Sequence, residues 1–375
     1  MTPLVIRRRS RSQIQSTSIS TWQPAIALLL IAALVGFVGC AAGDASASPS
    51  DTAQQSPQRE PASQPPGSAG VPIVVTPLNE NRWRVEHLCG TSEIPAWPTR
   101  ICALAFADEM LAIGMPPAAA SSSATGFPDY LRPQLEGVVP VYQMLGTMLP
   151  DFETIVQLQP DLILTSNTDP QTYAQLSKIA PVVVLQRSSW DDQQRILDVG
   201  NLLGKEQQAQ AVLAAYQAQV AAAKAILQQK IGIQPVSFFR VFGRQMYIHG
   251  HTRGGLLLYD ELGLKPPALL NDSPRGYMLS PEALLQLDAE HLFVAAENNL
   301  GAQRSWESLL SHPAWQRVPA VKQKHVYPIQ AQHQWLVPGI QGKSRMIDEI
   351  VAALAPESLA EVQQAATAAY EAQRP

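Results

Sequence analysis

Cysteine is scarce: three residues in a chain of 375 cannot build a disulfide scaffold or a zinc ribbon. A glycine-rich phosphate loop, a GxSxG elbow and a CxxC pair are all missing, and no local motif supplies the nucleophile-plus-base geometry of catalysis, so no enzyme is expected. A net charge of −4 gives no reason to expect nucleic acid as a partner. Aromatics make up only 6%, which makes the tryptophans and tyrosines of predicted loops worth following. The N-terminal apolar run, residues 24–39, is about sixteen residues long where a membrane span needs about 20. Acidic residues are absent before Asp44.

Those last two absences frame a secretory signal. Arg7, Arg8, Arg9 and Arg11 precede the apolar run, and VGC closes it at Cys40. The residues VGC with Ala41 resemble the lipobox of bacterial lipoproteins, although Phe37 stands where Leu is commoner; cleavage without lipidation and an uncleaved anchor are the alternatives. Residues 1–39 are read as a lipoprotein signal peptide and Cys40 as the lipidated residue. Residues 40–80 are Ala, Ser, Pro, Gln and Gly with little to bury, a flexible linker, with structure starting near Trp83.

What is present is a hydrophobic fraction of 46% and length enough for two domains at about 150 residues each. Residues 206–231 hold neither Gly nor Pro, and Ala209, Val212, Leu213, Tyr216, Val220, Ala223 and Leu227 recur at helical spacing. That helix would be roughly 38 Å long and would join an N-terminal α/β lobe (81–205) to a C-terminal one (232–375); one more helix on a continuous doubly wound sheet is the alternative. On both sides strands and helices alternate. The strands predicted at 161–166 and 182–185 are continuous apolar runs, as parallel strands covered on both faces should be. The composition of the tail after Pro356 is helix-forming. Cys89 and Cys102 flank a turn-rich segment; export permits a disulfide between them, and two buried thiols are the alternative.

Two segments match across the long helix: PDFETIVQLQPDLIL from Pro150 and PEALLQLDAEHLFV from Pro281. Aligning Glu153 with Glu282 sets Ile155, Val156 and Leu158 on Leu284, Leu285 and Leu287. Each acid begins a helix, where it would favour the dipole. As a pair they also suit a two-sided partner carrying arginines.

The stretches PTRICALAFADEMLAIGM, LGTMLPDFETIVQLQPDLILTS and YAQLSKIAPVVVL resemble the first lobe of class III substrate-binding proteins of bacterial ABC importers, and LLLYDELGL, LSPEALLQLDAEHLFVA and WESLLSHPAWQRVPAVKQKHVYPI the second. The iron–siderophore subgroup is the most similar. The resemblance implies two Rossmann-like α/β lobes joined by one long helix, with a ligand cleft between them. It implies a ferric siderophore as cargo, no cofactor, and a permease dimer with its ATPase as partner, docked through Glu153 and Glu282. It places a monomeric protein on the membrane, facing the periplasm or cell exterior. By position, Arg240, Arg275, Tyr277 and Trp335 are its candidate ligand contacts; guanidinium donors and flat aromatic faces suit anionic, oxygen-rich complexes. Where some ferrichrome binders carry an Arg before the first-lobe Glu, this chain has Thr147 and Met148. Cobalamin or haem is the alternative cargo, and His249, His251, His325 and His333 the less favoured basis for direct metal binding.

Overall fold

The computed structural model describes residues 73–374, apart from 124–125, 143–148, 187–191, 298–299, 330–331 and 337–338. The signal segment, Cys40 and most of the linker lie outside the described residues, as do Thr147 and Met148. Among the described residues no helix is long and apolar enough to cross a membrane.

Order begins earlier than the linker reading allows. Strands β1 (Val74–Asn79), β2 (Arg82–His87) and β3 (Gly90–Pro95) form an antiparallel meander. The first lobe follows, with β4 (Ile101–Ala103), α1 (Ala107–Ala112), β5 (Ala119–Ser122), β6 (Val139–Tyr142), α2 (Phe152–Leu158), β7 (Leu162–Thr165), α3 (Pro170–Leu176), β8 (Val182–Val184) and α4 (Asp192–Leu202). Its sheet is wholly parallel in the order β6-β5-β4-β7-β8, and β4, β7 and β8 are buried at every position. The meander seals the β8 edge: Leu88 N–H donates to Val184 O at 3.2 Å and the Ser92 hydroxyl to Val182 O at 2.7 Å.

Helix α5 (Glu206–Lys230) then crosses to the second lobe. The predicted stripe is its inner face: Ala209, Tyr216, Ala223 and Leu227 are buried, and Val212, Leu213 and Val220 half-buried against the same core. The second lobe comprises β9 (Val236–Phe242), β10 (Gln245–His249), α6 (Gly254–Leu256) with a π turn at Leu257–Glu261, and β11 (Gly276–Leu279). It continues with β12 (His291–Ala296), α7 (Leu300–Leu310), α8 (Pro319–Lys322), β13 (Val326–Pro328), α9 (Gln332–Leu336), α10 (Ile340–Leu354) and α11 (Leu359–Gln373). Its sheet runs β11-β10-β9-β12-β13. Counted within each lobe, both sheets therefore have the order third-second-first-fourth-fifth, which extends the sequence repeat to the whole sheet. Residues 282–286, expected to be α-helical, form a 3-10 run, because Pro281 opens it and Leu287 is already extended. The tail has a role: α11 lies along α5, and Lys230 pairs with Glu357 at their ends.

A second tie between the halves comes from α10, which packs on α1, α4 and α5. Its N-cap is Gly339, which has no side chain to satisfy the first N–H groups. Asp108 of α1 does so instead, accepting from Gln341 N at 2.9 Å and Gly342 N at 3.1 Å. A Cβ on Gly339 would stand 2.3 Å from Asp108 Cγ, so the close approach requires glycine. Deeper in, Lys343 Nζ meets Glu261 at 2.7 Å and Tyr216 of α5 donates to the same carboxylate at 2.5 Å.

Candidate functional site

In sheets of this order ligands bind outside the strands' carboxyl ends, where the connections diverge. In the second lobe that point lies between β9 and β12. Arg240 sits near the end of β9, paired with Glu297 just beyond β12, its guanidinium 4.5 Å from the centre of the Phe242 ring. Its Nε is buried without a hydrogen-bond partner. Alternation puts Phe238, Tyr247, His249 and Phe293 on the same face. His249 stacks on Phe238 at 4.5 Å, and both its ring nitrogens are buried without partners. Burial, reinforced by Arg253 and Arg240, pushes its pKa down to about 3, so the ring is neutral.

The first-lobe counterpart is the end of β4. A cavity of about 150 Å³ opens there, lined by Phe106, Asp108, Glu109, Tyr130, Arg195 and Gly339. Glu109 and Arg195 form a buried ion pair at 2.6 Å, joining α1 to α4. Burial first, and then the charge of Glu109, push the Asp108 carboxyl upward, while the backbone donors of Gln341 and Gly342 and the Tyr130 hydroxyl oppose the rise. Sequence reading missed this group; the adjacent acids Asp108 and Glu109 in FADEM were its only local sign.

The four candidate ligand contacts do not converge. Tyr277 pairs with Ile248, which pairs with Phe239, so it faces away from Arg240, whose level holds Tyr247 and Met278. Arg275 precedes Gly276, which is level with Phe238, so it lies toward the opposite end of the sheet and is exposed. Trp335 is fully buried, its ring 5.0 Å from Phe238 and 5.1 Å from Phe293, and its indole N–H donates to Glu349 at 2.7 Å. It packs on the same sheet face as Arg240, over Phe238 and Phe293, and is wholly covered. Arg240 lies nearest the carboxyl end of its sheet, and Glu297 holds one side of its charge.

Cys89 and Cys102 are free thiols, which corrects the disulfide expectation. Cys102 lies in the sheet core among Ala119, Ile155 and Ile163, where burial raises its pKa to about 12, and Cys89 packs on the same cluster from the β2–β3 turn. The histidines are dispersed: His251 meets Asp260 at 2.7 Å, His325 stacks on His291 at 4.7 Å, and the side chain of His333 lies outside the described residues. Among the described residues no three metal-ligating side chains cluster.

Glu153 and Glu282 are both exposed, each in the first turn of the helix that lies between third and fourth strand. Asp151 caps α2, accepting from Glu153 N at 3.1 Å and Thr154 N at 3.3 Å. Ser280 and the backbone amide of Glu282 hold that carboxyl below its usual range.

A family model described as periplasmic binding protein matches residues 106–333, more than half of the chain. The chain belongs to the periplasmic binding protein family. This is a family of binding proteins rather than enzymes, and the extracytoplasmic location goes with it. The iron(3+)-hydroxamate-binding protein FhuD of Bacillus subtilis is 29% identical over 182 residues, covering 47% of this chain and 57% of that protein. The achromobactin-binding periplasmic protein of Dickeya dadantii is 29% identical over 65% of this chain and 81% of its own length. Staphylococcus aureus SirA complexed with staphyloferrin B superposes with a TM-score of 0.62 at 25% identity, over 72% of this chain and 98% of that one.

Proposed function

We propose that this protein is the exported, lipid-anchored binding subunit of an ABC importer. It captures one ferric siderophore between its lobes and delivers it to a permease dimer driven by an ATPase. The observation that carries the reading is the doubled sheet order, which gives each lobe a switch point at its strands' carboxyl ends. The ligands named for its relatives, iron–hydroxamate, achromobactin and staphyloferrin B, support a siderophore as the cargo. In the second lobe Arg240 over Phe242 is the proposed contact: an anionic chelate would compete with Glu297 for the guanidinium. Trp335 packs beside it on the same face, over Phe238 and Phe293. Arg275 and Tyr277 would serve only a ligand reaching beyond it. Iron arrives as cargo inside its chelate, and the protein needs no cofactor. Glu153 and Glu282 dock the permease, and Cys40 carries the lipid.

Tryptophan fluorescence tests the reading. Ferric hydroxamate, catecholate and citrate-type siderophores are titrated in parallel with haem and cobalamin. Saturable quenching by one ferric siderophore is expected; quenching by haem or cobalamin alone refutes the cargo. Cys40→Ala should release the protein from membranes with its fold unchanged, and a wild-type protein found wholly in the cytosol refutes the anchor.

A further inference from the structure

The acid of each docking site has an apolar companion. In both repeats the residue two places after the acid is buried, Ile155 and Leu284, and the residue three places after it is not. Val156 is 54% exposed and Leu285 is 55% exposed. Single exposed apolar residues are ordinary on a protein surface. Two at repeat-equivalent positions, each beside the acid and exposed to the same degree, are a pattern. The local geometry holds it in both lobes although the helix types differ. In the α-helix α2 residues three apart share a face, and in the 3-10 run at 282–286 they eclipse. Val156 thus lies beside Glu153, and Leu285 beside Glu282. The strand before each connection adds to the apolar surface: Tyr142 at the end of β6 and Met278 in β11 are also exposed, and Asp151 N–H donates to Tyr142 O at 2.9 Å, fixing the start of α2 beside it.

We infer that each lobe grips the permease through an acid–apolar pair, Glu153 with Val156 and Glu282 with Leu285. Each half of the permease then presents a basic side chain next to an apolar one. The inference rests on the docking role given to the two acids under Proposed function. Charge selects the occupant: a second copy would set acid against acid, and an anionic lipid surface would repel both, whereas a basic and apolar partner satisfies both members of each pair. The division of labour follows. The acids steer encounter and carry its salt dependence; the apolar residues lose their exposed surface only in the docked complex and so slow its dissociation.

The test uses the siderophore-loaded full-length protein and the cell's ferric-siderophore permease–ATPase in lipid nanodiscs, with association and dissociation measured between low and high salt. Val156→Gln and Leu285→Gln should each weaken docking about fivefold, and together about 25-fold, from the half side chain of apolar burial lost at each. The loss should lie in dissociation, with the salt slope of association unchanged and siderophore quenching as in the wild type. Glu153→Ala with Glu282→Ala should instead slow association and flatten its salt dependence. Unchanged docking by the double Gln variant, while the Ala variant is impaired, overturns the inference and leaves the docking acids standing. Wild-type protein that shows no docking removes the reading beneath it. Self-association or liposome binding that the Gln variants abolish assigns the pair to a second copy or to lipid, and also overturns the inference.

Discussion

Arg195→Met is the most informative change in the first lobe. Arg195 and Glu109 are almost wholly buried, with Nε and Oε1 2.6 Å apart, and Asp108 stands next in the chain with its own carboxyl buried. Removing the guanidinium leaves two neighbouring acids inside the protein with no cation at the pair. Breaking a buried pair from one side costs about 3–5 kcal/mol, whereas replacing both partners by apolar groups is close to neutral. Arg195→Met should therefore lose about 3–5 kcal/mol at pH 7.5, and adding Glu109→Met should restore most of it, a coupling of about 2 kcal/mol or more. The sign with pH follows from the lost cation. Asp108, already pushed upward by burial and then by the charge of Glu109, is pushed further once the guanidinium is gone, so the folded variant binds more protons and its deficit shrinks as pH falls, by up to about 1.4 kcal/mol per pH unit per proton. Urea unfolding followed by both fluorescence and circular dichroism, at pH 5 and 7.5, measures this. A cost under about 1 kcal/mol that is the same at both pH values would refute the buried pair.

Three further outcomes are expected. His249 has its folded pKa depressed to about 3 from an ordinary 6.5, so its contribution to stability is complete above pH 6.5 and is lost as pH falls through that window; His249→Phe should flatten the acid limb by about one proton, and an unchanged slope between pH 6 and 4 would contradict the neutral buried ring. Trp335→Ala should cost about 3–5 kcal/mol in chemical denaturation, and Trp335→Phe, which keeps the ring contacts with Phe238 and Phe293, should leave siderophore affinity close to wild type; a large affinity loss in a stably folded Phe variant would restore Trp335 as a ligand contact. Glu153→Ala with Glu282→Ala should leave siderophore quenching intact while uptake falls sharply, and wild-type uptake at limiting protein would make both acids ordinary helix-start residues.

Legibility in the sequence followed the range of the interaction. The run LILT in β7 and the alanine-rich stripe of α5 are local patterns of burial, and both elements formed where periodicity puts them. Strand β5, Ala-Ala-Ser-Ser, has no β-branched residue and is a strand only because β4 and β6 pair with it from either side. Asp108 capping α10 joins residues more than 230 apart, and no window of sequence contains both. The acids Glu153 and Glu282 were legible because the repeat carries them. The proposed ligand contacts were less so, because which face a strand residue takes depends on register. Arg240 and Tyr277 look alike as loop-proximal donors until the pairing through Ile248 and Tyr247 turns them to opposite faces.

The same pairing explains why Glu153 and Glu282 stay equivalent although the lobes are built differently. The first lobe reaches its second and third strands by parallel connections, through α1 and the segment after β5. The second lobe turns straight back after β9 at Gly243, whose φ of 54° suits a tight hairpin reversal, and reverses again between β10 and β11. One reversal would have inverted the third strand and begun the next connection at the wrong edge of the sheet. Two restore its direction, so β11 runs parallel to β9 as β6 runs parallel to β4. In both lobes, then, the third strand ends at the carboxyl edge, and the helix that leads back to the fourth strand carries its acid in its first turn. An odd number of reversals would have kept the fold's core and set the two acids at opposite ends of their sheets.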